Sequence, residues 1–277
     1  MKKVITEMVR VKMIIDSTGL IFFSPTQTTK KIIEGIAQGL QATTKQYFDL
    51  TLPDTIAHPS QGFTQDLAII GAPVYAGRLP SVMLSRFKQI NGNGRPAVIV
   101  VVYGNRAYED ALIELRNVAL EIGFKPIAAG TFIGEHSYST SDLPIAKSRP
   151  DADDIVTAHK FGKEIRKKFM TEISNTNELL QVPGNFPYKE IQMLSGVVPS
   201  VNEALCSRCR KCVPVCPTAA IDKENPMNTA KDLCIRCCAC VKACPSDAKL
   251  LDDPRIKQAA EWLYANFSVR KEPEIYL

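Results

Sequence analysis

The chain has 277 residues, 45% of them hydrophobic, and a formal net charge of +5. That length leaves room for a conventional core in more than one unit, while no apolar run approaches the length of a bilayer span, the longest, Ala97 to Tyr103, suiting a buried strand. Lys2, Lys3, Glu7, Arg10 and Lys12 interrupt the first fifteen residues and deny them a signal-peptide core, so a cytoplasmic protein is expected.

Residues 1–17 are weakly patterned and read as a short extension or an edge element. At Leu20-Ile21-Phe22-Phe23 the chain becomes legible, with an apolar run suited to a strand buried on both faces. The hydroxyl-rich Ser24-Pro25-Thr26-Gln27-Thr28-Thr29 follows, then a helix from about Thr29 to Leu40 with Ile32, Ile33, Ile36, Ala37 and Leu40 on one face. Such hydroxyls alone mark an ordinary helix cap. After a strand they also make an anion site, because orphan N–H groups and the positive end of the helix dipole converge there.

Lys45 to Leu50 and Leu67 to Gly71 read as the second and third strands. Next come the turn-rich Ala72-Pro73-Val74-Tyr75-Ala76-Gly77-Arg78-Leu79-Pro80, a helix from Ser81 to Ile90, and a turn at Asn91-Gly92-Asn93-Gly94 that forms no dinucleotide fingerprint. The strand Ala97 to Tyr103 runs into Tyr103-Gly104-Asn105-Arg106-Ala107-Tyr108 and a helix from about Glu109 to Gly123. A fifth strand, Pro126 to Ile133, and a helix from Asp151 to Phe169 complete the series. Strands alternating with helices imply a parallel sheet covered on both faces, with ligands outside the carboxyl ends of the strands. All three marked loops lie at such ends.

By these loops and this order of elements the first part of the chain resembles the flavodoxin family. The resemblance implies an α/β fold, a five-stranded parallel sheet of order 2-1-3-4-5, and bound FMN. It implies that Ser24, Thr26, Thr28 and Thr29 hold the phosphate, with Gln27 where the family usually has glycine and Thr28 where it usually has asparagine. Pro73, Val74, Tyr75, Ala76 and Gly77 would form one loop against the flavin ring, and Tyr103, Gly104, Asn105 and Tyr108 the other. Tyr75 or Tyr108 alone would read as packing beneath a loop; the phosphate loop and the element order favour flavin contacts. Gly134-Glu135-His136-Ser137-Tyr138 could close over the ring, with His136 or Tyr138 as candidate proton donor; His58 falls in a turn and His159 on a helix.

Residues 171–200 show little periodicity and read as a linker, packed between units through Phe186, Tyr188, Ile191, Met193 and Leu194. Beyond them one cysteine pattern occurs twice. Adding 28 to Cys206, Cys209, Cys212, Cys216 and Pro217 gives Cys234, Cys237, Cys240, Cys244 and Pro245. In a C-x2-C-x2-C-x3-C-P run three close thiolates grip one iron cube, while the fourth reaches the other. On that crossing one [4Fe-4S] cluster takes Cys206, Cys209, Cys212 and Cys244, and the second takes Cys234, Cys237, Cys240 and Cys216. Structural zinc pairs C-x2-C units across a gap and closes at four ligands, so it fits a doubled run of four poorly. Cys238, whose counterpart is Arg210, reads as a small buried hydrophobe.

The segment from Val201 to Asp252 resembles the two-cluster bacterial-type ferredoxins, and the chain from Leu20 onward resembles flavodoxin-ferredoxin fusion proteins of anaerobes. The expected organisation is an FMN unit over 1–170, a linker over 171–200, a small α+β cluster unit over 201–252, and a helix and tail over 253–277 that clamps the small unit. Cluster and flavin-phosphate charges, about −2 each, bring the loaded protein near neutral and remove the case for nucleic acid. Arg208, Arg210, Lys211, Arg236 and Lys242 either offset cluster charge and meet an acidic partner or form a solvated face. The expected function is electron transfer with protein redox partners, the alternative a flavin-dependent reductase of a small acceptor.

Overall fold

The structure is a computed structural model that describes residues 15–53, 62–172, 179–191 and 194–277. His58, Met193 and most of the 1–17 extension lie outside the described residues. The first apolar run forms β1 (Ser17–Phe22), followed by α1 (Thr28–Leu40), β2 (Thr44–Asp49), β3 (Leu67–Pro73), α2 (Ser81–Phe87), β4 (Pro96–Tyr103), α3 (Ala111–Glu121), β5 (Lys125–Ile133) and α4 (Ala152–Glu172). Strands pair in the order β2-β1-β3-β4-β5, all parallel, which is the flavodoxin-like doubly wound order.

Two-residue alternation along each strand splits the core between the faces. Ile21, Ile70, Ile99 and Val101 pack on one side with Met83 and Phe87 of α2 and Leu112 and Leu115 of α3. Leu20, Phe22, Ile69, Val98 and Val100 pack on the other with Ile32, Ile33 and Ile36 of α1 and Phe161 and Ile165 of α4. Each such side chain contributes about 1.5–3 kcal/mol when fully buried. Helices α1 and α4 cross closely because neither Gly39 nor Gly162 carries a side chain; a Cβ on Gly39 would overlap the His159 carbonyl, and one on Gly162 the Ile36 carbonyl.

The cysteine-bearing segment adds β6 (Ser200–Val201), the short α5 (Ala239–Lys242) and β7 (Lys249–Leu250), with β6 and β7 antiparallel. Beyond β7 the chain departs from expectation. On helix α6 (Pro254–Phe267), Ala260 and Leu263 bury against Ile145 of the larger unit, with Tyr138, Leu143 and Phe267 alongside. The chain then enters the larger sheet as β8 (Glu274–Tyr276), antiparallel to β5 with Gly130 opposite Ile275.

The linker also differs. Phe186 is 75% exposed and fills no gap between units. Leu180 and Val182 pack against the core of the larger unit, and polar ties also hold the segment there. The buried Asp110 carboxylate accepts from the backbone N–H groups of Asn185 at 2.8 Å and Lys189 at 2.7 Å, and the Arg78 guanidinium lies 4.5 Å from the Tyr188 ring centre.

Candidate functional site

The carboxyl ends of β1, β3, β4 and β5 open onto one cavity of about 350 Å³, within the range of small-molecule sites. At its floor is the loop after β1. Gln27 adopts a left-handed backbone, φ 65°, at the position where a glycine would be free to do so. Its side chain offsets part of that strain by donating from Nε2 to the Ser24 carbonyl at 3.0 Å. Thr26 and Thr28 line the cavity. Ser24 and Thr29 are buried beneath it, where the Ser24 hydroxyl accepts from the Lys30 N–H at 3.1 Å and caps α1. The Thr29 hydroxyl is buried with no hydrogen-bond partner among the described residues. With the orphan N–H groups of the first turn of α1, this loop fits a phosphate.

Pro73, Val74, Tyr75, Ala76 and Gly77 form the second wall. Tyr75 and Arg78 exchange backbone hydrogen bonds at 2.9 and 3.1 Å around Ala76 (φ 52°) and Gly77 (φ 86°), a tight type I′ turn. Tyr103 and Gly104 form a third wall. Gly104 lies flat against His136, where any Cβ would overlap the imidazole.

Asn105 and Tyr108 face elsewhere. Asn105 Nδ2 donates to the carbonyls of Phe267 at 2.5 Å and Val269 at 2.8 Å, tying down the chain after α6. The Tyr108 hydroxyl donates to Glu274 Oε2 at 2.8 Å and sits 3.1 Å from the Tyr276 hydroxyl. Burial and these β8 partners push its phenol well above the ordinary range.

Gly134, Glu135, His136, Ser137 and Tyr138 complete the rim. His136 Nδ1 accepts from the Tyr138 N–H at 3.0 Å, which leaves any ring proton on Nε2. Burial, followed by the charges of Arg106 and Lys242, lowers its pKa to about 4, so the imidazole is neutral at pH 7. It can donate from Nε2–H but is no imidazolium acid. Three walls were not legible in the loops: Ala259, Trp262 and Leu263 of α6, Leu194 of the linker, and Ile235 and Arg236 of the cysteine segment. The apolar period of α6 signalled a buried face, but nothing in it named the surface it meets.

The cysteines surround two smaller cavities. One is lined by Cys206, Cys209, Cys212 and Cys244, the other by Cys216, Cys234, Cys237, Cys240 and Cys238. The backbone repeats with the sequence. Left-handed residues Arg208, Arg210 and Ala219 recur 28 positions later as Arg236, Cys238 and Asp247, with φ between 50 and 61° throughout. Such turns point main-chain N–H groups at sulfur: Ala220 N–H donates to Cys216 Sγ at 3.2 Å. The backbone N–H of Lys211 pulls the Cys209 thiol down, and that of Ala239 does the same for Cys237, although burial wins there and pushes it to about 12. Four thiols around one cavity and five around the other, with N–H donors to sulfur, supply the four ligands that each four-iron core needs. Cys238 is buried, and its thiol donates to the Arg236 carbonyl at 3.6 Å.

The two cysteine cavities differ in cover. Cys209 is exposed, whereas Cys237 and Cys240 are buried. Ile235 and Arg236 line both the second cysteine cavity and the large one. Beside this shared wall Tyr75 is pushed well above the ordinary phenol range, first by burial and then by Cys237 and Cys238. Arg86 fastens the units from another side, donating to the Leu50 and Thr51 carbonyls and at 2.6 Å to that of Pro217.

The family described as 4Fe-4S binding domain matches residues 199–222, the first of the two repeats. The chain joins a parallel sheet of flavodoxin-like strand order to a segment that matches a 4Fe-4S binding family. Solved structures similar to the sheet unit include a flavodoxin from the domain Archaea, at 13% identity over 55% of this chain and 98% of that one, TM-score 0.37. Others are the Streptococcus pneumonia TIGR4 flavodoxin, at 18% identity over 55% and 99% with TM-score 0.40, and the rubredoxin oxygen:oxidoreductase of Desulfovibrio gigas, at 12% over 58% and 37% with TM-score 0.41. No curated protein sequence matches this chain significantly. Among the described residues no helix is long and apolar enough to cross a membrane.

Proposed function

We propose that this chain is an intracellular electron-transfer protein that holds FMN in the large cavity and a [4Fe-4S] cluster in each cysteine cavity. The observation that carries the reading is the shared wall of Ile235 and Arg236, which leaves one residue layer between the second cysteine cavity and the large one. Thr26, Thr28 and the first turn of α1 would hold the phosphate, while Tyr75, Gly77, Tyr103 and Gly104 would frame the ring. Cys206, Cys209, Cys212 and Cys244 would hold one cluster, and Cys234, Cys237, Cys240 and Cys216 the other.

When bound, the clusters would supply single electrons and the flavin would exchange one or two. The chain's own contribution is proximity, since the linker and the Arg86 contact keep the centres together without a diffusional encounter. The exposed Cys209 side supports entry or exit of electrons through a protein partner there. A second reading, reduction of a small acceptor at the flavin, is favoured by His136 and Tyr138 facing the cavity.

Oxygen-free preparation followed by iron, sulfide and FMN analysis tests the proposal. About eight irons and one FMN per chain are expected; zinc without sulfide overturns it. Turnover of quinones or nitro compounds with a reduced protein donor would favour the second reading.

A further inference from the structure

The 28-residue repeat puts an arginine at the same place in each half, two residues after the first cysteine: Arg208 and Arg236. Their backbones match, with φ 53° and 54°. Their surroundings do not. Arg208 is exposed on the rim of the first cysteine cavity. Arg236 is half-buried in the wall shared by the second cysteine cavity and the large one.

Nη1 of Arg236 donates to the Leu194 carbonyl at 2.6 Å, which holds the side chain in that wall. Tyr138 lines the same cavity, and the Arg236 charge acts on its phenol. A fixed cation therefore stands at one edge of the cavity.

We infer that Arg236, fixed in the wall between the two cavities, sets how readily the flavin takes an electron, a role its repeat counterpart Arg208 does not share. The inference rests on FMN occupying the large cavity and clusters occupying the cysteine sites. Reduction adds negative charge to the ring, and a cation in a partly buried wall favours the added charge more strongly than one screened by water. Removing it lowers the flavin potential. Arg208 sits on the far site and in solvent, so its loss reaches the flavin only through screened distance.

The test is an oxygen-free redox titration of the full chain, with flavin followed optically and clusters by EPR, and with iron, sulfide and FMN counted on every sample. R236Q is expected to shift the flavin midpoint to lower potential, R236K to restore most of that shift, and R208Q to leave it at the wild-type value. R236M replaces R236Q should the latter misfold. An unchanged flavin midpoint in the neutral variants, or equal shifts in R236Q and R208Q, would overturn the assignment. Wild-type protein lacking flavin or sulfide would instead sink the functional reading beneath it, and the counts separate the two failures.

Discussion

Glu135 and Lys242 meet at 2.7 Å across the seam between the sheet unit and the cysteine segment, each about a quarter to a third exposed. Burial raises the Glu135 carboxyl, but the Lys242 ammonium, the Ser148 N–H and Lys147 outweigh it and hold the group below its ordinary value. A carboxyl depressed in the folded state contributes stability above its unfolded pKa and loses it as pH falls through the folded one. Half-solvated as it is, the pair contributes at most about 1 kcal/mol. Thermal unfolding of E135Q should therefore show a small loss at pH 7 that starts to shrink as pH falls below the unfolded value of about 4.3 and is gone once the folded carboxyl is itself protonated. A loss that stays constant as pH falls from 7 to 2 would rule out the ion pair as its source.

Cys216 belongs by sequence to the first repeat and by position to the second cavity. C216A is expected to remove the cluster signal of the covered site and spare the other, while C244A does the reverse. EPR of each variant, with iron counts falling by about half, checks the crossing. Loss of the same signal in both variants would contradict it.

Gly104 leaves no room for a side chain beside His136. G104A should cost about 1–3 kcal/mol through overpacking and weaken FMN binding by displacing the imidazole into the cavity. Adding H136A should recover part of both losses. Chemical denaturation and FMN titration of the three proteins measure this, and additive losses in the double variant would show that the two residues do not compete for space.

Much of the core was legible because unbroken apolar runs such as Leu20 to Phe23 and Ala97 to Tyr103 have one economical use, a strand covered on both faces. The cysteine repeat was legible because ligand spacing is local. The features that escaped depend on contacts between distant segments. Asn105 looks like a ring-edge residue until its amide is seen holding the Phe267 carbonyl, 162 positions away. Tyr108 likewise turns to Glu274 and Tyr276, in a three-residue strand too short to carry a period. Asp110 anchors the linker by accepting backbone N–H groups, which any residue other than proline could offer, so side-chain pattern could not announce it.

Strand β8 covers the edge of β5, and Ile275 packs against the core there. Because Ile275 is only partly buried, I275A should cost about 1–2 kcal/mol, below the range for a fully buried isoleucine. The backbone amides that pair β5 with β8 should exchange faster in that variant, and those between β1 and β3 should not. Hydrogen exchange with mass detection reads both; unchanged protection at Ala129 to Thr131 would mean that the edge holds without the side chain.

The chain contains one tryptophan, and it lines the large cavity from α6. Trp262 is 52% exposed and packs edge-on against Phe267 at 5.1 Å, so its ring is fixed at the rim rather than sealed in the core. Flavin absorption overlaps tryptophan emission, and a flavin in this cavity would stand within a few residues' width of the indole. Adding FMN to protein that holds its clusters but has been stripped of flavin should quench the emission and saturate at one equivalent. W262F should bind FMN and show no such signal, because the eight tyrosines emit at shorter wavelength. Tight binding by another measure, with tryptophan emission unchanged, would place the flavin away from α6 and remove the basis for treating Ile235 and Arg236 as the wall between the centres.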